Sequence, residues 1–237
     1  MSDSRFSQRW DQPEIMDDLE FSGEEMDQAL RELETINKWL GGNAVTLTGL
    51  AHLKKDFPAN KTITIADLGC GGGDMLKLMA DWGRRHQIEL ELTGIDANDY
   101  IINYARHRTL DYPEIKYQTA NVFDPDFQKQ HFDIITCTLF THHFTTIQLE
   151  KLLGSWTNNA RIGVVINDLH RHWLAYYSII AITRLFSRSY MVKNDGPVSV
   201  LRAFRRQELK SLLSQLHLRG FKLRWKWAFR WMLIIPT

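Results

Sequence analysis

Residues 63–74 read ITIADLGCGGGD, a β-branched run that ends in glycines. Ile63, Ile65, Ala66 and Leu68 are apolar, Asp67 lies among them, and Gly69, Gly71, Gly72 and Gly73 follow. Buried parallel strands read as short, continuous apolar runs of this kind. Glycines directly after such a strand allow a tight turn and expose bare backbone amides to a ligand. A helix over about Asp74 to His86 then begins with free N–H groups. The segment therefore predicts a ligand pocket at the carboxyl end of a first strand in an α/β sheet. A glycine turn that holds no ligand is the plainer alternative. Four glycines in five positions weigh against it, because each costs chain entropy.

Known glycine motifs narrow the ligand. The dinucleotide fingerprint G-x-G-x-x-G is broken, since its third glycine falls on Asp74. No Lys follows as a phosphate-binding P-loop requires. What remains is Asp67-x-Gly69-x-Gly71-x-Gly73. A second strand, LELTGID, ends in Asp96 one helix later, where a carboxylate can accept ribose hydroxyls.

The Asp-x-Gly-x-Gly-x-Gly loop resembles the first motif of class I S-adenosylmethionine (SAM)-dependent methyltransferases. The resemblance implies SAM as cofactor. SAM has no phosphate to need a Lys, and its ammonium and sulfonium suit a nearby acid. The resemblance places Asp67, Gly69, Cys70, Gly71, Gly73 and Ala97 around the cofactor, with Asp96 at the ribose. In TANVFD it gives Asn121 and the Val122 backbone to the adenine, and Thr138 closes the set at the end of the fourth strand.

Composition bounds the rest. The 237 residues suffice for one α/β domain with an appendage, and 44% hydrophobic with 24% charged residues is ordinary for a globular enzyme. A net charge of +1 gives no global field for nucleic acid. Cys70 and Cys137 form neither a metal pattern nor a disulfide framework and fit a reducing, cytoplasmic compartment. The N-terminus is not a signal peptide, and the apolar stretch Trp173 to Phe186 is too short to span a bilayer. That stretch is apolar nearly all round, which leaves burial, a lid role or contact with a membrane surface open.

Hydrophobic periodicity predicts a doubly wound, seven-stranded, mostly parallel sheet with an N-terminal helical extension. The expected extension is 1–60, with a helix from a Ser22–Glu25 capping box to about Leu40 and a second over Val45 to Lys55. The cofactor domain is 61–237, with a substrate-covering insertion at about 171–200. Strands are expected at 63–68, 90–95, 115–119, 132–138 and 161–167, and helices at 74–86, 98–108 and 146–153. The stretch from Pro197 reads as a loop entering a helix near Arg205. The last two strands, about 221–228 and 230–235, pair as a hairpin. Trp225 and Trp227 alternate as in a half-buried strand rather than a nucleic-acid surface.

Catalytic candidates are histidines. His142 and His143 follow the fourth strand and His170 follows the fifth, so all three can meet above a reactive methyl group. Imidazole is the natural base near neutral pH. His143 is the first choice, as the farthest out on its loop, then His170, then His142. His170-x-His172 lacks the carboxylate or Cys that would complete a metal site, so no metal is expected. Arg202, Arg205 and Arg206 form a basic cluster that either pairs an anionic substrate or faces solvent. The loop Thr138 to Phe144 resembles that of quinone-biosynthesis and related small-molecule methyltransferases. It lacks the Asn/Asp-Pro-Pro-aromatic pattern of amine-methylating relatives. The resemblance, which covers about residues 62–170, implies O- or C-methylation of an apolar aromatic or quinone/polyketide-like acceptor. A non-catalytic SAM-binding regulator and an NAD-linked oxidoreductase remain as alternatives.

Overall fold

The structure, a computed structural model, describes residues 4–237. The first three residues of the expected extension lie outside the described residues. Five parallel strands come first: β1 (Ile63–Leu68), β2 (Leu90–Asp96), β3 (Ile115–Thr119), β4 (Phe132–Thr138) and β5 (Ala160–Leu169). Then β6 (Lys222–Lys226) and β7 (Arg230–Pro236) pair antiparallel, and β7 inserts between β5 and β6. The sheet order is β3-β2-β1-β4-β5-β7-β6. Strand order reverses between β1 and β4, the switch point at whose carboxyl end such sheets bind ligands.

The helices are α1 (Glu24–Trp39), α2 (Asn43–Leu53), α3 (Asp74–His86), α4 (Asp99–Arg108), α5 (Thr146–Asn159), α6 (Trp173–Phe186), α7 (Tyr190–Arg202) and α8 (Arg206–Gln215). Two apolar clusters hold them to the sheet. On one face Leu152, Trp156 and Leu213 pack against Ile135, Val164 and Leu233. On the other, Leu50, Leu53, Leu76 and Met79 pack against Ile63, Ile65 and Val165. Each such side chain contributes about 1.5–3 kcal/mol on burial. Gly49 lets α2 lie directly on β5, because a Cβ there would be 2.4 Å from a Val165 methyl. A third cluster, Met26, Ala29, Leu30, Met191 and Val192, joins α1 to α7 above the strand ends.

Three local expectations are corrected. The Ser22–Glu25 capping box does not form; Gly23 precedes α1, with no side-chain cap. The Glu25 carboxylate instead accepts from Ser189 Oγ (2.6 Å) and Met191 N (3.0 Å), at the start of α7. Around Pro197 the chain is helical rather than a loop. Proline inside a helix costs roughly 3 kcal/mol, but α7 buries Met191, Val192, Val200 and Leu201 against its neighbours. Trp225, on the edge strand β6, and Trp227, in the turn that follows it, are exposed rather than half-buried.

Candidate active site

The turn after β1 places Gly69, Gly71 and Gly73 at φ of +65°, +51° and +77°. L-residues adopt this region at a cost, so glycine fits the turn three times over. The three differ in what they face. A Cβ on Gly69 would be 2.3 Å from the Phe140 ring, and one on Gly73 2.3 Å from the Tyr117 hydroxyl. A Cβ on Gly71 would meet only a Leu30 methyl, at 3.8 Å. Gly69 and Gly73 thus allow close internal packing, while Gly71 keeps backbone open to a ligand.

That ligand space is a cavity of about 360 Å³, within the range of small-molecule sites. Asp67, Gly69 to Gly72, Asp74, Leu30 and Glu34 form one end. The other end is apolar: Ala175, Ile179, Ile182, Met191 and Val200 from α6 and α7, with Trp227 and Phe229 from the β6–β7 turn. Asp67 is fully buried and accepts from Thr136 Oγ1 at 2.6 Å. Burial, with Asp74 nearby, pushes its carboxyl up to about 7. Burial and Glu34 raise Asp74 too. An enclosed site that raises several carboxyl pKa values offers a cation a favourable place.

Of the expected cofactor residues, Asp67, Gly69, Cys70, Gly71 and Thr138 line the cavity. Gly73, Asp96, Ala97, Asn121 and Val122 are not part of its wall. Asp96 stands just behind the glycine turn. It accepts from Gly71 N (3.3 Å) and Asn98 N (3.1 Å), and burial raises its carboxyl. The Asn121 side chain accepts from Phe123 N at 3.0 Å, closing its own turn, and Val122 is buried.

The three candidate histidines separate. His142 is buried and lines the cavity. Its Nδ1 donates to Asp168 Oδ1 at 2.7 Å, and its Nε2 lies 3.4 Å from Glu14 Oε1. Burial alone lowers a histidine pKa, but Asp168 and Glu14 outweigh it and push this one up to about 9. His143, its ring centroid 4.3 Å from that of His142, gives its Nδ1 hydrogen to Asp17 at 2.5 Å and is not in the cavity wall. His170 lies beside Trp225 and Trp231, outside the wall. Burial, with His172 and Arg171 nearby, pushes it down to about 4. Arg202 is buried and committed to Asp17 and the His143 carbonyl, at 2.5 Å each.

On α6, the inward face is Ala175, Ser178, Ile179 and Ile182. The larger Trp173, Tyr177 and Phe186 of this apolar stretch are exposed. Several polar wall residues escaped the sequence reading, Arg230 and Glu14 among them. Arg230 is buried at the start of β7 and donates Nη2 to Asn37 Oδ1 at 2.8 Å. Its Nε and Nη1 have no hydrogen-bond partner. Burial lowers it only to about 10, so it is charged at neutral pH. The available signal was a charged residue opening a strand that is otherwise apolar. Glu14 comes from the irregular N-terminal segment, and no local pattern marked it.

The family model of a methyltransferase domain matches residues 65–163. No curated protein sequence matches the chain significantly. Among solved structures, the plantazolicin methyltransferase BpumL in complex with S-adenosylhomocysteine is similar over 88% of each chain, with a TM-score of 0.68 at 14% identity. The methyltransferase domain (CMeT) of the citrinin polyketide synthase aligns with 78% of this chain and 49% of its own, TM-score 0.59 at 17% identity. Magnesium protoporphyrin IX methyltransferase (ChlM) from Synechocystis PCC 6803 aligns over 83% of each chain, TM-score 0.54 at 12% identity. These likenesses carry the fold. Among the described residues, no helix is long and apolar enough to cross a membrane.

Proposed function

For this class I SAM-dependent methyltransferase, we propose a small apolar acceptor, aromatic or polyketide-like, that is methylated on an oxygen or on an activated carbon. One observation carries the reading: a single cavity joins the glycine turn and its acids to an apolar chamber under α6 and α7.

The residues at the turn fit SAM. Gly71 leaves backbone free, and Asp67, Asp74 and Glu34 offer negative charge for an ammonium and a sulfonium. Asp96, behind the turn, is the ribose candidate, and Asn121 and Val122 remain those for the adenine. SAM brings a methyl group already activated for displacement. The chain has to hold the acceptor in line and exclude water, which supplies on the order of 7–11 kcal/mol. Ile179, Ile182, Met191 and Val200 provide the dry wall. Arg230, with two uncommitted N–H groups, is suited to an oxygen-centred anion on the acceptor. Among the histidines, His142 alone lines the cavity, so we assign it to the acceptor. Held protonated by two carboxylates, it stabilises a developing oxyanion better than it removes a proton.

An NAD-linked reaction is disfavoured, because a pyrophosphate would face Asp67, Asp74 and Glu34. Calorimetry with SAM and NAD, followed by turnover on phenols, quinols and β-dicarbonyl compounds, tests the reading. SAM binding with methyl transfer to one of these classes supports it. SAM binding with no transfer across the panel points to a regulatory binder. NAD binding without SAM binding overturns it.

A further inference from the structure

We infer that Glu14, His142 and His143 form a binding site for a first-row divalent metal ion at the acceptor end of the cavity. Glu14 comes from the segment before α1, and the histidines from the turn after β4. Their ligand atoms all lie within 4.8 Å of one another. Glu14 Oε1 is 3.4 Å from His142 Nε2, and Glu14 Oε2 is 4.0 Å from His143 Nε2. Ligands about 2.0–2.1 Å from a tetrahedral ion stand roughly 3.3–3.4 Å apart. One edge of the cluster has this length, and the other needs a small side-chain movement.

The outer partners support the assignment. Each ring gives its Nδ1 hydrogen to a carboxylate, His142 to Asp168 (2.7 Å) and His143 to Asp17 (2.5 Å). Both Nε2 atoms thereby face Glu14, and a bound ion would take the place of the proton that His142 otherwise holds toward that carboxylate. Carboxylates behind metal-binding histidines fix ring and tautomer in this way. Ser199 steadies Glu14, donating to Oε2 at 2.9 Å. Glu14 Oε1 and His142 Nε2 are buried, face each other at 3.4 Å and reach no neighbour at ordinary hydrogen-bond geometry. One cation would satisfy both.

Charge is consistent with a cation. Glu14, Asp17 and Asp168 surround the rings, against Arg202, 3.9 Å from Glu14 Oε1, and Arg9, which binds the His142 carbonyl. Two imidazoles with a carboxylate suit zinc, iron, cobalt or manganese better than calcium or magnesium. Glu14 and His142 line the cavity and His143 does not, so an open coordination position faces the acceptor. On the methyltransferase reading, on which this role rests, the acceptor then carries an enol, phenol or ketone oxygen able to fill that position.

The test uses the full chain, stripped with a chelator and titrated separately with Zn²⁺ and Co²⁺ by calorimetry. The Co²⁺ ligand-field spectrum is recorded, and SAM affinity is measured on the same samples. One ion per chain is expected. Glu14→Gln and His143→Gln should each weaken it at least about tenfold, and Asp168→Asn by about 10–100-fold, with SAM affinity retained. Circular dichroism checks the fold, and either ligand variant that folds suffices. No stoichiometric ion, or binding that survives the folded ligand variants, overturns the site and leaves His142 a proton-bridged pair. Ion binding without SAM binding keeps the site and sinks the methyltransferase reading.

Discussion

Asp17 holds the Nδ1 hydrogen of His143 at 2.5 Å although 126 residues separate them. The same carboxylate accepts from Arg202 Nη1 (2.5 Å) and Glu14 N (2.9 Å). Four residues on, the Phe21 carbonyl accepts from Asn98 Nδ2 at 2.9 Å. The segment 14–21 is thus latched across the ends of β2 and β4. Entry of SAM to the glycine turn is expected to lift this strap together with α1. Asp17→Asn should loosen it by about 1.5–3 kcal/mol, the range for charged hydrogen bonds. Amides 14–21 should exchange faster in the SAM-free variant, and SAM should restore protection. Exchange identical in parent and variant, with and without SAM, would make the segment a static packing element.

Asp67 is expected to make SAM binding depend on pH. Its folded pKa of about 7 lies above the unfolded value of about 3.9. Between these values the folded chain holds a proton that the unfolded chain has released. Its contribution to SAM-free stability is therefore full below about pH 4 and is lost as pH rises through 7. A cationic ligand prefers the ionised form, so SAM affinity should rise with pH through about 7 as a proton leaves. Thermal midpoints at a series of pH values, with and without SAM, read both slopes. Asp67→Asn should flatten both; opposite slopes in the parent chain would count against the assignment.

The glycines of the turn should respond differently. Gly71→Val should abolish SAM binding in a folded chain, since only Leu30 is near and the strain is about 1–3 kcal/mol. Gly69→Ala should lower the thermal midpoint more than Gly71→Ala, because its methyl group meets the Phe140 ring. Gly71→Ala should be the worse binder of the two. The reversed ranking would move the ligand away from Gly71.

Arg230 is a buried charge with two unpaired donors, an arrangement that costs stability. Arg230→Met should leave the thermal midpoint unchanged or raise it, and lower turnover at least about tenfold at near-constant SAM affinity. A fall in SAM affinity instead would assign Arg230 to the cofactor's carboxylate. His170→Ala, outside the cavity wall, should leave turnover within about twofold of the parent.

What the sequence disclosed follows contact distance along the chain. β1 and its turn were readable because strand, glycines and helix start lie within twelve consecutive residues. The β6–β7 hairpin was readable from alternation followed by a continuous apolar run, since β7 is buried on both faces. The Glu14–His142–His143 cluster was invisible, because its members meet only after the N-terminal segment crosses the sheet. α6 was recognised as an element, but its inward face was not. The stretch reads as apolar nearly all round, whereas Ala175 and Ser178 face the cavity and Trp173 and Tyr177 are exposed. α7 was hidden by Pro197, whose local cost is offset by distant packing partners.

The antiparallel insertion of β7 has a consequence for how this catalyst can be re-engineered. It brings the first residue of a strand, Arg230, to the edge where the parallel strands end. The acceptor chamber is therefore assembled largely from residues 175–230, and the acidic end from residues 30–75. The two walls come from different stretches of the chain and meet where Leu30 of α1 packs with Met191 of α7. Exchanging the inward residues of α6 and α7 should redirect the choice of acceptor while the donor side stays intact, provided that Met191 and Val192, which hold α1, are kept.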